Sequence, residues 1–312
     1  MSTPPAVAAD LTRDAERAAL QMNRVLVLGT GTMGQGIAQV CAAAGIEARL
    51  VDAEPGRASA AIDAIAALLG RSVDKGKLSA EARTATLARL SAETDLENAS
   101  RGIDLVIEAV PESMELKVSL LGRVVAVAPP HAIVASNTSS LSITEMAARI
   151  GAAPRTVGLH FFNPPPVMEL LEIVRGLGTS TETVGASVDL AKRLGKTSIV
   201  VHDTPGFATS RLGVCIGAEA IRMLESGVAS IVDIDRAMEL GYRHPMGPLK
   251  LTDLVGLDVR LSILDHLHKE LGEQFRAPPL LRQMVRAGRL GKKSGLGFYR
   301  WTESGPVAEP VR

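Results

Sequence analysis

The stretch Arg24-Val25-Leu26-Val27-Leu28-Gly29-Thr30-Gly31-Thr32-Met33-Gly34 decides the fold. A short apolar run ended at once by glycines reads as a buried strand. Beyond it, Ile37 to Ala44 reads as a small-residue helix stopped by Gly45, and Ala48-Arg49-Leu50-Val51-Asp52 as a second strand with an acidic end. A lone GxGxxG says little, because glycines also mark ordinary turns. Strand, GxGxxG, helix, strand and acid in one unit form a dinucleotide-binding fingerprint. Gly29 permits the tight turn, Gly31 lets the backbone approach a pyrophosphate, and Gly34 lets helix and strand pack closely. Thr32 and Met33 belong to the same cofactor-binding turn. The helix N-terminus offers unpaired N–H groups and a positive dipole end to phosphates. Asp52 is placed to bond both ribose hydroxyls and repel a 2′-phosphate, which points to NAD rather than NADP.

The pattern continues outward. Residues 54 to 73 read as a longer helix, and Ile103 to Val110 as a third strand followed by a helix through Val127. Ala132 to Ala135 is a fourth strand, running into Ser136-Asn137-Thr138-Ser139-Ser140-Leu141. Ligands of open α/β sheets bind beyond the carboxyl ends of the strands, so Glu108, Asn137 and Ser139 stand where a cofactor or substrate would lie. Asn137 to Ser139 also fits a helix cap before Ile143, and both uses can hold at once. Thr156 to Phe162 and Val167 to Val174 give two further strands. A helix through Leu194 and the strand Thr197 to Val201 complete this half.

Between those two strands lies Gly158-Leu159-His160-Phe161-Phe162-Asn163-Pro164-Pro165-Pro166-Val167-Met168-Glu169-Leu170-Leu171-Glu172. Its three prolines restrict the turn. Met168, Leu170, Glu172 and Val174 share one face of the second strand. A carboxylate on an apolar face is costly to bury unless it is paired, and His160 is the evident partner. Such a pair holds an imidazole in one tautomer and favours its protonated form, as a general base requires. The same residues also fit a satisfied core histidine beside a solvated edge glutamate.

Asp203-Thr204-Pro205-Gly206-Phe207 breaks the strand pattern. After it, Thr209 to Ser226, Ser230 to Leu240, Pro248 to Leu271 and Pro279 to Ala287 read as helices on apolar periodicity. The expected fold is α/β: an N-terminal Rossmann-like, doubly wound, mostly parallel sheet plus an all-α C-terminal domain. The expected divisions are an extension over 1–22, a dinucleotide-binding domain over 23–204 and a helical domain over 205–312. Asp10 to Leu20 fits a short helix within that extension. Arg71 and Lys75, four apart, share a helical face and on local grounds are a solvated pair.

Lys+Arg 34 against Asp+Glu 34 leaves no net field to draw nucleic acid or an anionic membrane. With 3% aromatic residues there is little for base stacking. Cys41 and Cys215 lie far apart, without metal-ligand spacing, so neither a disulfide framework nor a metal site is expected. No secretory signal or apolar run of transmembrane length is evident, so the expected compartment is the cytoplasm. Gly291-Lys292-Lys293-Ser294 lacks the upstream glycine and strand of a P-loop.

Six stretches together carry a resemblance: the Gly29 to Gly34 turn, Ser136 to Ser140, His160-Phe161-Phe162-Asn163-Pro164, Asp203 to Phe207, His244-Pro245-Met246-Gly247-Pro248 and Gly291 to Tyr299. In order and spacing they resemble the L-3-hydroxyacyl-CoA dehydrogenase family, nearest its short-chain 3-hydroxybutyryl-CoA branch, over about residues 23 to 300. The resemblance implies an NAD-dependent enzyme acting on an acyl-CoA, with His160 as base and Glu172 orienting it. It implies Ser139 on the reacting oxygen, Asn137 and Glu108 on the cofactor side, and Arg71 and Lys75 on the CoA phosphates. It further implies that the helical domain closes over substrate and makes a homodimer. Two positions depart from the family pattern. Ser210 stands where relatives carry an active-site asparagine, and Pro165 where valine is commoner. The first departure points to an altered substrate or rate, and keeps two rivals open: a dehydrogenase of a non-CoA hydroxy acid, and an NAD-binding protein without catalysis.

Overall fold

The computed structural model describes residues 22–309, so the helix expected over Asp10 to Leu20 lies outside the described residues. The chain forms two compact units, divided between Asp203 and Thr204.

The first unit is built on eight strands: β1 (Arg24–Leu28), β2 (Glu47–Val51), β3 (Leu90–Glu93), β4 (Leu105–Glu108), β5 (Ile133–Ser136), β6 (Thr156–Phe161), β7 (Leu170–Arg175) and β8 (Thr197–His202). Their order across the sheet is β3-β2-β1-β4-β5-β6-β7-β8. All neighbours are parallel except β6 and β7, so β7 and β8 run against the other six. The first six strands have the doubly wound order whose reversal, between β1 and β4, opens a ligand crevice. The connecting helices are α1 (Thr32–Ala43), α2 (Arg57–Asp74), α3 (Ala80–Leu87), α4 (Leu96–Ala99), α5 (Met114–Val127), α6 (Ile143–Arg149) and α7 (Thr181–Arg193).

The run at β1 is apolar throughout because both of its faces are covered. Val25 and Val27 enter one core with Ile37, Cys41 and Leu50, while Leu26 and Leu28 enter another with Val106, Leu121 and Val134. The period-2 alternation of a strand sends successive side chains to opposite faces. The edge strand β3 has no such signature. Leu90-Ser91-Ala92-Glu93 becomes a strand by pairing with Ala48 to Val51 of β2, a contact that no local pattern announces. The helix read as starting near Ile37 begins at Thr32, directly after Gly31.

The second unit holds α8 (Thr209–Glu225), α9 (Ile231–Arg236), α10 (Pro248–Val255), α11 (Leu257–Leu271) and α12 (Pro279–Arg286). Two differences from the sequence reading stand out. The run Pro248 to Leu271 is two helices, because Gly256 adopts φ +103° between them. A short antiparallel hairpin, β9 (Tyr299–Thr302) and β10 (Gly305–Ala308), closes the otherwise helical unit. Two buried carboxylates brace it. Asp253 accepts from the Phe298 and Tyr299 amides at 2.9 Å and from Trp301 Nε1 at 3.0 Å. Asp235 caps the start of α10 through the Leu249 and Lys250 amides and accepts from Tyr299 Oη at 2.7 Å. The motif glycines serve this brace. A Cβ on Gly297 or Gly247 would meet Asp253 Oδ1 or the Asp235 side chain at 2.1 and 2.2 Å. Among the described residues no helix is long and apolar enough to cross a membrane.

Candidate active site

The turn after β1 has the form a dinucleotide needs. Gly29 sits at φ +86°, and a Cβ there would meet the Ala109 carbonyl at 2.9 Å. Gly34 lies so close under the turn that a Cβ would come within 1.8 Å of the Gly29 carbonyl. Gly31 is the opposite case: nothing lies within 4 Å of its missing Cβ, so the backbone there stays open to a ligand. Gly29, Gly31, Thr32, Met33 and Asp52 all line one cleft of about 840 Å³ at the switch point. Asp52 directly follows β2 and is held in place. Its Oδ2 accepts from the Thr30 amide at 2.8 Å and hydroxyl at 2.7 Å, and its Oδ1 from the Glu54 amide at 3.1 Å. Burial pushes this carboxyl up, but the Thr30 and Glu54 bonds and the nearby Arg57 outweigh it and hold it below the usual range. A fixed anion at the rim of a phosphate cradle matches a ribose diol. The cleft therefore fits a dinucleotide.

Further along the same sheet, His160 and Glu172 are direct cross-strand partners in the antiparallel β6–β7 register. His160 Nδ1 lies 2.6 Å from Glu172 Oε2, with Glu172 fully buried and His160 7% exposed. With Nδ1–H donating to the carboxylate, the imidazole lone pair sits on Nε2, the atom that takes a proton. The Phe162 ring packs on the imidazole at a centroid distance of 4.5 Å. Glu172 is thus a buried partner of the histidine, not a solvated edge residue.

Asn137 directly follows β5 and its Oδ1 accepts from the Phe161 amide at 2.9 Å, tying its loop to the residue after His160. Ser139 follows two residues later, its amide directed at Glu112 Oε1 at 3.2 Å. Glu108, expected on the cofactor side, ends β4 next to Ala109 and Val110, which line the cleft. It is fully buried, and its carboxylate is spent on Lys117 Nζ at 2.7 Å, Ser136 Oγ at 2.6 Å and the Val110 amide at 2.6 Å. Burial pushes its carboxyl up, against the pull of Lys117 and the two other donors. Glu108 supports the strand ends from beneath. Lys117, 1% exposed, joins Glu108 to Glu112, which in turn accepts from Thr138 and Ser140. Sequence reading missed Lys117, Glu112 and Ser136 as one network. A lysine on the buried face of a helix, nine residues from a buried glutamate, was the available signal.

Lys196 was also missed. Its Nζ donates at 2.6 Å to the carbonyls of Pro165 and Met168, closing the proline turn between His160 and Glu172. Arg71 and Lys75 lie at the exposed C-terminal end of α2, and among the described residues neither charge has an ion-pair partner. Ser210 stands in the first turn of α8 in the second unit. Both cysteines are free, Cys41 buried and Cys215 exposed, and among the described residues no cluster of metal-ligating side chains occurs.

A doubly wound sheet that cradles a dinucleotide and sets an imidazole–carboxylate pair on two of its strands defines a nicotinamide-dependent oxidoreductase. Residues 24–204 match the family model for the 3-hydroxyacyl-CoA dehydrogenase NAD binding domain, and residues 206–301 the model for its C-terminal domain. The chain is 45% identical over 285 residues to a probable 3-hydroxybutyryl-CoA dehydrogenase of Bacillus subtilis, covering 91% of this chain and 99% of that one. It is 44% identical to a 3-hydroxyadipyl-CoA dehydrogenase of Escherichia coli, covering 90% of this chain and 60% of that longer protein. The solved (S)-3-hydroxybutyryl-CoA dehydrogenase of Ralstonia eutropha superposes with a TM-score of 0.87 at 40% identity, covering 91% of this chain and all of the other. The chain belongs to the 3-hydroxyacyl-CoA dehydrogenase family.

Proposed function

We propose that this enzyme interconverts short-chain (S)-3-hydroxyacyl-CoA and 3-oxoacyl-CoA with NAD, in the cytoplasm and as a homodimer. The observation that carries the proposal is the His160–Glu172 pair, buried at 2.6 Å on a sheet that also bears the dinucleotide cradle. His160 Nε2 takes the proton of the substrate 3-hydroxyl as C3 becomes a carbonyl. Glu172 keeps the imidazole in that tautomer and balances its positive charge once the proton arrives. The Gly29–Gly34 turn and Asp52 would hold NAD, which would supply the hydride acceptor. Ser139 donates to the reacting oxygen, and Asn137 positions its loop. Arg71 and Lys75, exposed and without an ion-pair partner among the described residues, suit the CoA phosphates. The helical unit serves substrate closure and dimerisation. The names of the relatives support a four-carbon acyl group and, for the E. coli protein, a six-carbon group ending in a carboxylate.

The test is NADH oxidation with acetoacetyl-CoA, run beside NADPH and beside free acetoacetate. Turnover with the CoA ester and NADH alone is the expected result. Turnover with free acetoacetate at equal kcat/KM would assign the enzyme to non-CoA hydroxy acids. Binding of NADH without turnover on any 3-oxoacyl-CoA would make it a non-catalytic NAD-binding protein.

A further inference from the structure

The segment Glu54-Pro55-Gly56-Arg57, which joins β2 to α2, brings a guanidinium to the rim of the dinucleotide cleft. Proline stands second and glycine third, with Gly56 at φ +79° and ψ −12°, and the Arg57 amide donates to the Glu54 carbonyl at 3.2 Å. That is the form of a type II turn, whose third residue needs the positive φ that glycine adopts without strain. Such a turn sets its first and fourth residues side by side. Arg57 Nη1 lies 3.0 Å from Glu54 Oε1, and Arg57 Nε lies 4.0 Å from Asp52 Oδ2. The backbone thus lays down the pairing of the two side chains.

Asp52, Glu54 and Arg57 line the cleft, whereas His160 and Asn137 do not, so this is the end of the site that suits adenosine and pyrophosphate. Asp52 suits a neutral ribose diol there; a 2′-phosphate calls for an arginine, whose paired N–H donors match its oxygens. Two arginines line the cleft. Arg123 is held by both oxygens of Glu97, at 2.9 and 3.1 Å. Arg57 is, among the described residues, the one basic side chain within 4.0 Å of the Asp52 carboxylate, and so the cation within reach of a 2′-substituent. Glu54 takes that cation first. With side chains 71% and 47% exposed, the Glu54–Arg57 pair adds little to folding. Its consequence lies in what the cleft admits.

From this turn-built pair beside Asp52 we propose that Glu54 and Arg57 determine the choice of cofactor together with Asp52. Arg57 is a ready 2′-phosphate-binding residue that Glu54 keeps occupied. The preference for NAD over NADP rests on that occupation as well as on the charge of Asp52. A site discriminates by withholding an attractive group as well as by presenting a repulsive one. This role rests on the NAD reading above and deepens it, within the first unit alone.

The test is a binding comparison on the wild type, Glu54→Gln, and Glu54→Gln combined with Arg57→Met or with Arg57→Lys. Fluorescence titration gives Kd for NADPH and NADH, and calorimetry gives Kd for adenosine 2′,5′-bisphosphate and 5′-AMP, which isolate the 2′-phosphate. Glu54→Gln is expected to raise the NADPH/NADH ratio of affinities about tenfold, with the same gain for the bisphosphate over 5′-AMP. Adding Arg57→Met should abolish the gain, and adding Arg57→Lys should keep part of it, since lysine retains the charge but not the paired donors. A ratio unchanged in Glu54→Gln would make the pair an ordinary surface contact and overturn the proposal. A gain that survives Arg57→Met would mean that Glu54 acts by its own charge alone, and would overturn it equally. Binding is read without acyl-CoA, so a failure of the acyl-CoA reading leaves this test standing. If the wild type binds neither NADH nor NADPH, the NAD reading falls and takes this one with it.

Discussion

At the scale of single residues, the 2.6 Å contact between His160 Nδ1 and Glu172 Oε2 places the imidazole lone pair on Nε2, the nitrogen assigned above to the substrate proton. His160→Gln removes the proposed base but keeps an amide of similar reach. A loss of roughly 10²- to 10⁴-fold in kcat is expected, the usual worth of a general base, with NADH still bound by fluorescence titration. A loss under about threefold would mean that another group takes the proton. Asp52 carries two predictions. Removing its charge in Asp52→Ser lifts the repulsion toward a 2′-phosphate, so the NADPH/NADH ratio of kcat/KM should rise at least about tenfold, about 1.4 kcal/mol of discrimination. Its carboxyl is held below the ordinary value in the folded chain. A depressed folded pKa adds stability that is fully present above the unfolded value, about 3.9, and is lost as pH falls through the lower folded value. Urea unfolding should therefore separate wild type from Asp52→Asn at pH 6, and the gap should close below about pH 4. A gap that widens with acid would reverse the sign. His160 and Asp52 were legible in the sequence because each sits at or beside the end of a strand marked by its own short motif, and Glu172 because it stands on an apolar strand face.

Among the elements, the proline turn between β6 and β7 is pinned on both sides. Lys196 holds its carbonyls, and α1 approaches so closely that a Cβ on Gly36 would lie 2.6 Å from Pro165 Cδ. Gly36→Ala gains helix propensity of about 1 kcal/mol, against overpacking of about 1–3 kcal/mol. The expected outcome is a lower Tm and a fall in kcat larger than the change in KM, because the turn carries the dyad's two strands. An unaltered kcat would show the turn free to shift without disturbing the pair. At the end of α2, the double change Arg71→Ala with Lys75→Ala is expected to raise KM for acetoacetyl-CoA about tenfold or more while KM for NADH stays near wild type. Equal rises in both would place these charges outside CoA recognition. Helices and strands were readable wherever an apolar period ran unbroken. The break at Gly256 was not, because the period passes through it in register and only the backbone at φ +103° turns the chain. β3 escaped for the converse reason: it has partners but no pattern.

Over the whole molecule, the two units have separate hydrophobic cores, one set around the sheet and one among the helices of the second unit. The second depends on Asp253, which serves three buried donors spread over residues 298 to 301. Asp253→Leu leaves those donors unpaired, at about 1–3 kcal/mol each. The transition of the helical unit should drop by several degrees, read by the fluorescence of Trp301, the single tryptophan of the chain. A shift under about 1 °C would mean water replaces the carboxylate. Such a brace is not readable in one dimension: a lone aspartate in a helix says nothing of a hairpin more than forty residues on. The Glu108–Lys117 network is only half readable, because Glu108 ends an evidently buried strand while Lys117 looks like a surface charge until α5 turns it inward. The His160–Glu172 contact has another consequence. It arises from strand register in an antiparallel pair, and a slip of one residue by either strand would send its member of the pair to the opposite face, away from the other. The reactive pair is thereby inherited with the sheet itself. A change in a loop or helix can thus alter what the chain accepts while the backbone ladder that sets the two groups side by side stays as it is.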